Sequence, residues 1–135
     1  MPTPPAPRSI LLVDDEPSFR ELVALMLEQG GHRVTVAGDG REGGKCLALQ
    51  TFDLVITDVL MPEHDGLEFI TVLRRSHPGL RVIAMTGGGH LSAAKYLRMA
   101  RGLGARSLLE KPFTQEALLA AVESALAGEA KPPAP

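Results

Sequence analysis

The chain has 135 residues, 44% of them hydrophobic and 22% charged, which suits one domain with a sizeable core. A formal net charge of −2 without a basic block argues against direct nucleic-acid binding, and no apolar stretch approaches the roughly 18 residues of a membrane span. The single Cys46 rules out an internal disulfide and fits a reducing cytoplasm, where it reads as a small apolar filler.

Residues 1–7 are proline-rich, lack the basic and apolar regions of a signal peptide, and are expected to be a disordered tail, as are residues 128–135. Residues 8–13 then read as a buried strand running into Asp14 and Asp15. Pro17 suits the first turn of a helix, and Phe19, Leu22, Val23, Met26 and Leu27 follow the i, i+3, i+4 spacing of an apolar helix face that Gly30-Gly31 ends. Residues 33–37 alternate like a strand nearer a sheet edge. Asp39 is positioned to cap a second helix reaching about Gln50, which Gly43 and Gly44 would weaken by about 1 kcal/mol each relative to alanine.

Residues 52–58 form the clearest central strand and end at Asp58; residues 61–66 read as a loop. Leu67, Ile70 and Leu73 give the next helix its inward face, and Pro78-Gly79 turns the chain into a strand over residues 81–85, followed by Thr86. After Gly87-Gly88-Gly89 the pattern predicts a helix over about residues 90–103 and a short strand over residues 106–109, leading through Glu110 to Lys111 and Pro112. Thr114 caps a last helix with Leu118, Leu119, Val122 and Leu126 on one side.

Five strands alternating with five helices imply right-handed crossovers and a parallel sheet covered on both faces. Open sheets of this kind bind ligands at the carboxyl ends of their strands. Asp14, Asp15, Asp58, Thr86 and Lys111 all fall there, and three carboxylates, a hydroxyl and an amine suit a divalent cation and a phosphoryl group. A carboxylate is a competent nucleophile toward phosphorus, and magnesium prefers carboxylate, phosphate and water oxygens. Neighbouring strands lie about 4.8 Å apart, so carboxylates ending adjacent strands are able to share one ion. Each residue also has a purely structural reading: Asp14-Asp15 as a helix-capping pair, Asp65 as a turn residue, His64 as a solvated loop residue. His32, His64, His77 and His90 show no metal-ligand spacing, and Gly44-Lys45-Cys46 lacks the glycine and hydroxyl of a phosphate loop.

Asp14-Asp15, Asp58 within Asp58-Val59-Leu60-Met61-Pro62-Glu63-His64-Asp65-Gly66, Met85-Thr86-Gly87 and Lys111-Pro112-Phe113 closely resemble the receiver domains of two-component response regulators. The resemblance covers about residues 8–127. It implies a flavodoxin-like fold, an α/β five-stranded parallel sheet of order 2-1-3-4-5 with five helices on both faces. It implies that Asp58 accepts a phosphoryl group from a histidine kinase or histidine phosphotransfer protein. Mg2+ would be bound directly by Asp15, Asp58 and the backbone carbonyl of Leu60, with Asp14 acting mainly through a bound water. Lys111 would pair with the phosphoryl group, Thr86 would turn inward to bond it, and the peptide before Pro112 is usually cis in the family.

The chain departs from the family in two places. Leu108 stands where an aromatic is common, three residues before the lysine, and reads as core. Thr86 and Lys111 are 25 positions apart, a few more than usual. The lone Tyr96 reads as packing. The resulting expectation is a stand-alone, chemotaxis-regulator-like cytoplasmic receiver whose chemistry is limited to its own phosphorylation and dephosphorylation. It would signal through a downstream protein target, with no direct nucleic-acid contact and no membrane insertion, and with room for a homodimer on phosphorylation. The alternatives are a phosphorelay intermediate or phosphate sink, a degenerate receiver that binds partners without phosphate, and a magnesium-dependent phosphatase or phosphotransferase.

Overall fold

A computed structural model describes residues 8–59, 66–87 and 107–127. These residues form strands β1 (Ser9–Val13), β2 (Arg33–Ala37), β3 (Leu54–Asp58), β4 (Arg81–Gly87) and β5 (Ser107–Lys111). The helices among them are α1 (Pro17–Gln29), α2 (Gly40–Leu49), α3 (Gly66–Ser76) and α4 (Gln115–Leu126). The strands make one parallel sheet in the order β2-β1-β3-β4-β5. The helix expected over about 90–103, the loop glycines Gly88 and Gly89, Tyr96, His64, Asp65, His90 and both tails lie outside the described residues.

The apolar runs form buried strands because both faces of a parallel sheet are covered. Successive side chains point to opposite faces, and the core accordingly splits into two layers. Leu11, Val13, Val55, Val82 and Ala84 pack with Phe69, Ile70 and Leu73 of α3 and with Cys46 and Leu47 of α2. Ile10, Leu12, Leu54, Ile56, Ile83, Met85 and Leu109 pack with Val23 and Leu27 of α1 and with Leu118, Val122 and Ala125 of α4. Each fully buried leucine or isoleucine stabilises the fold by about 2 kcal/mol. Leu108 and Cys46 are half-buried fillers on the α2–α3 face, as the sequence suggests.

Local signals set the helix ends. Pro17 occupies the first turn of α1, where its missing N–H costs nothing. Gly31, with φ +91, takes the left-handed turn after that helix. The side chains of Asp39 and Thr114 accept hydrogen bonds from the Glu42 and Ala117 amides, capping α2 and α4 as expected. The cap of α1 is neither Asp14 nor Asp15 but Glu16, whose carboxylate accepts from the Ser18 amide.

Two readings need correction. β4 and β5 each run two residues beyond the predicted strands, so Thr86 and Lys111 belong to the sheet itself. Gly43 is also more than a weak point in α2. A Cβ there would meet the Phe69 ring at 3.0 Å and Val13 at 3.2 Å, so its bare backbone lets α2 seat against the sheet. Gly44, one residue on, faces open space. No described helix is long and apolar enough to cross a membrane.

Candidate functional site

Strand pairing brings the site together. Val13 pairs with Thr57, and Asp58 pairs with Met85, so the chain emerging from β1 at Asp14 passes beside the end of β3 at Asp58. Thr86 pairs with Glu110 and Gly87 with Lys111 at the other side. The β3–β4 ladder continues past Asp58, because the Val59 amide donates to the Met85 carbonyl at 3.0 Å.

Alternation along the strands decides which side chains meet. Leu12, Ile56 and Leu109 all lie in the α1–α4 layer. Asp14, Asp58 and Lys111 each follow one of them by two residues and therefore leave the sheet on that same side. Lys111 Nζ donates to Asp14 Oδ2 and to Asp58 Oδ2, both at 2.8 Å. The side chains are 17% exposed for Lys111, 0% for Asp14 and 6% for Asp58. Burial alone would push the Lys111 ammonium down, but the two hydrogen bonds and the negative charges of Asp14 and Asp58 outweigh it and raise the group above its usual value.

Asp14 is held from several directions. Its Oδ1 accepts from the Glu16 amide at 2.9 Å, and its backbone carbonyl accepts from the Arg20 guanidinium at 2.8 Å. Asp15 is exposed and has no hydrogen-bond or ion-pair partner among the described residues. Carboxylate oxygens of Asp14, Asp15 and Asp58 lie within 4.8 Å of one another, and this is the only such acidic or histidine group among the described residues. Three hard oxygen donors at this spacing fit a divalent cation such as magnesium. Leu60, expected to add a backbone carbonyl, lies outside the described residues.

Thr86 reaches the same sheet edge but is not joined to this cluster. It follows Ala84 of the α2–α3 layer, so alternation gives it the opposite side. Its hydroxyl is buried and has no hydrogen-bond partner among the described residues. The peptide between Lys111 and Pro112 is cis, as the resemblance implies.

The structure adds two aromatics that the sequence reading assigned no role at the site. The Phe19 ring lies under Lys111, with Nζ 4.4 Å from the ring centroid. Phe113 meets Phe19 edge-on, with centroids 5.6 Å apart and ring planes at 78°. Phe19 was hidden in the apolar periodicity of α1; its place four residues after Asp15, one helical turn above the loop, was the available signal.

The family model for the response regulator receiver domain matches residues 10–123. The chain belongs to the response regulator receiver family. Among curated relatives, this receiver is 37% identical over 120 residues to the transcriptional regulatory protein GlrR of Escherichia coli K12, covering 89% of this chain and 26% of that one. It thus spans about a quarter of the length of the first curated relatives it matches. Among solved structures it resembles the NtrX receiver domain of Brucella abortus, with a TM-score of 0.81 and 32% identity, covering 87% of this chain and 97% of that one. It also resembles the chemotaxis protein CheY4 of Vibrio cholerae, with a TM-score of 0.81 and 32% identity, covering 90% of this chain and 100% of that one.

Proposed function

We propose that this receiver accepts a phosphoryl group on Asp58 from a histidine kinase or histidine phosphotransfer protein, and that the modified protein binds a downstream protein target. The observation that carries the reading is the Lys111 ammonium bonded at 2.8 Å to both Asp58 and Asp14 at the sheet's carboxyl edge. An Asp58 carboxylate oxygen forms the new bond to phosphorus as the donor's nitrogen–phosphorus bond breaks, and the freed imidazole keeps that electron pair. Lys111 moves from a carboxylate partner to the phosphoryl oxygens and offsets their charge. Asp14, Asp15 and Asp58 would hold magnesium, which when bound supplies further positive charge beside the phosphoryl oxygens.

The Thr86 hydroxyl, without a hydrogen-bond partner among the described residues, is a ready donor for the new anion. Its turn toward Asp58 would be the local event that phosphorylation sets off, biasing a two-state surface. Chemistry in this reading is confined to the receiver's own phosphorylation and dephosphorylation, and the setting is the cytoplasm with Cys46 reduced.

The test is phosphate-affinity electrophoresis after treatment with acetyl phosphate, with and without magnesium, comparing wild type with Asp58→Ala. A magnesium-dependent shifted band that the variant lacks is expected. A folded wild type that never shifts, with acetyl phosphate or with a panel of phosphorylated histidine proteins, would refute the reading.

A further inference from the structure

We propose that Phe19 is a positioning residue for Lys111, its ring face holding the ammonium in place while the carboxylates around it change partners. The inference rests on the phosphoryl-acceptor reading above. An ammonium carries three N–H donors. Two of those of Lys111 are taken by Asp14 and Asp58 at 2.8 Å. On a further side stands the Phe19 ring, 4.4 Å from Nζ, well within the roughly 6 Å over which a cation is attracted to an aromatic face. Lys111 is mostly shielded from water, which strengthens that attraction.

The ring itself is fixed. Phe19 sits in the first turn of α1, immediately before Arg20, whose guanidinium is tied to the Asp14 carbonyl. It packs on the α1–α4 layer of the core, with the edge-on Phe113 on its flank. Phe113 lies two residues past Lys111, so the loop that follows the lysine also braces the ring beneath it. An alternating strand delivers Lys111 to this face, and α1 delivers the ring to meet it.

The consequence concerns exchange. A cation entering among Asp14, Asp15 and Asp58 draws on the same carboxylates that hold Lys111, and a phosphoryl group on Asp58 changes the second of them. Both hydrogen-bonding partners of the lysine are therefore altered during the cycle. The aromatic face is not: it has no charge to surrender to a metal and no oxygen to be modified. It attracts the ammonium while leaving its N–H groups available to the phosphoryl oxygens.

The experiment compares wild type, Phe19→Leu, which keeps an apolar side chain without a π face, and Phe19→Tyr, which keeps the face. Two quantities are read in each: the proton chemical shift of the Lys111 ε-methylene, which a ring beneath it displaces upfield, and the rate of Asp58 phosphorylation by acetyl phosphate with magnesium. Cooperative thermal unfolding confirms that each variant is folded. The expected result is loss of the upfield displacement and a rate about 3- to 10-fold lower in Phe19→Leu, with both restored in Phe19→Tyr. An unchanged rate in Phe19→Leu, or a loss that Phe19→Tyr shares in full, would overturn the proposal. The methylene shift needs no phosphorylation. A wild type that shows the shift but takes no phosphoryl group would therefore sink the proposed function while upholding the Phe19–Lys111 contact.

Discussion

Replacing Lys111 with methionine removes a cation from between two buried carboxylates and keeps a similar apolar stem. In its absence, oxygens of Asp14 and Asp58 within 4.8 Å of each other face an uncompensated repulsion. At an effective dielectric constant near 20, that repulsion is about 3.5 kcal/mol. Stranding one side of a buried ion pair costs about 3–5 kcal/mol in general. Lys111 is 17% exposed, so water enters more easily and lowers the figure, and the expected loss is about 2–4 kcal/mol. For a domain of this size that corresponds to a drop in Tm of about 10 °C. Thermal unfolding would be followed in chelator and again in magnesium. A divalent cation stabilises the state that binds it, and in the variant it meets carboxylates with no lysine competing for them. Magnesium should therefore raise Tm more in Lys111→Met than in wild type. A variant as stable as wild type in chelator, with an equal response to magnesium, would show that the Lys111 bridge is not what makes the acidic cluster tolerable.

Neighbouring glycines of α2 should respond oppositely to the same change. Gly44→Ala, in open space, should stabilise by up to about 1 kcal/mol in urea unfolding, whereas Gly43→Ala, crowding Phe69 and Val13, should destabilise by about 1 kcal/mol; equal effects would refute the packing argument. Thr86→Val removes a buried hydroxyl that has no partner among the described residues and should stabilise the protein by about 1 kcal/mol, and a clear loss in denaturant unfolding would mean the hydroxyl is bonded. Burial holds His32 below its usual value of 6.5, against the opposing pull of Glu123, so the folded state resists its protonation. The unfolded chain binds the extra proton first, and stability should fall as pH drops below 6.5 and through the lower folded value. His32→Gln should flatten that slope between pH 7.5 and 5.5, and an unchanged slope would assign it to other groups.

The strands were legible because their apolar runs are short, dense and bounded by Gly, Pro and Asp, and Asp39 and Thr114 announced their helices in the ordinary chemistry of caps. Asp14, Asp58 and Lys111 were visible for a related reason: polar residues abutting buried strands have few structural uses. The strand order came with the family resemblance, since alternation by itself fixes a parallel sheet but not which strands are neighbours. The ends of β4 and β5 were misjudged because Thr86 and Lys111 are polar, and a polar residue looks like the end of a run even when its backbone stays in the ladder. Gly43 misled because helix propensity is a local quantity while its value here is set by the ring of Phe69, 26 positions away. Phe19 escaped because its spacing satisfied the apolar stripe of α1, and an aromatic does not reveal from sequence that a cation lies over its face.

The ladder that continues past Asp58 through the Val59 amide fixes the carboxyl end of β3 as part of the fold itself. Asp58 and Val59 are held by β4, and Thr57, one residue earlier, is paired with β1. The lysine is already aimed and the acids are already gathered. On the proposed function, the entropy of assembling a phosphoryl-transfer centre would thus be met once, during folding, and not again at each encounter. A phosphoryl donor reaching this edge would then need to bring little more than its labile group. Under that proposal, discrimination between donors would come from surfaces beyond the chemistry, free to vary without disturbing it.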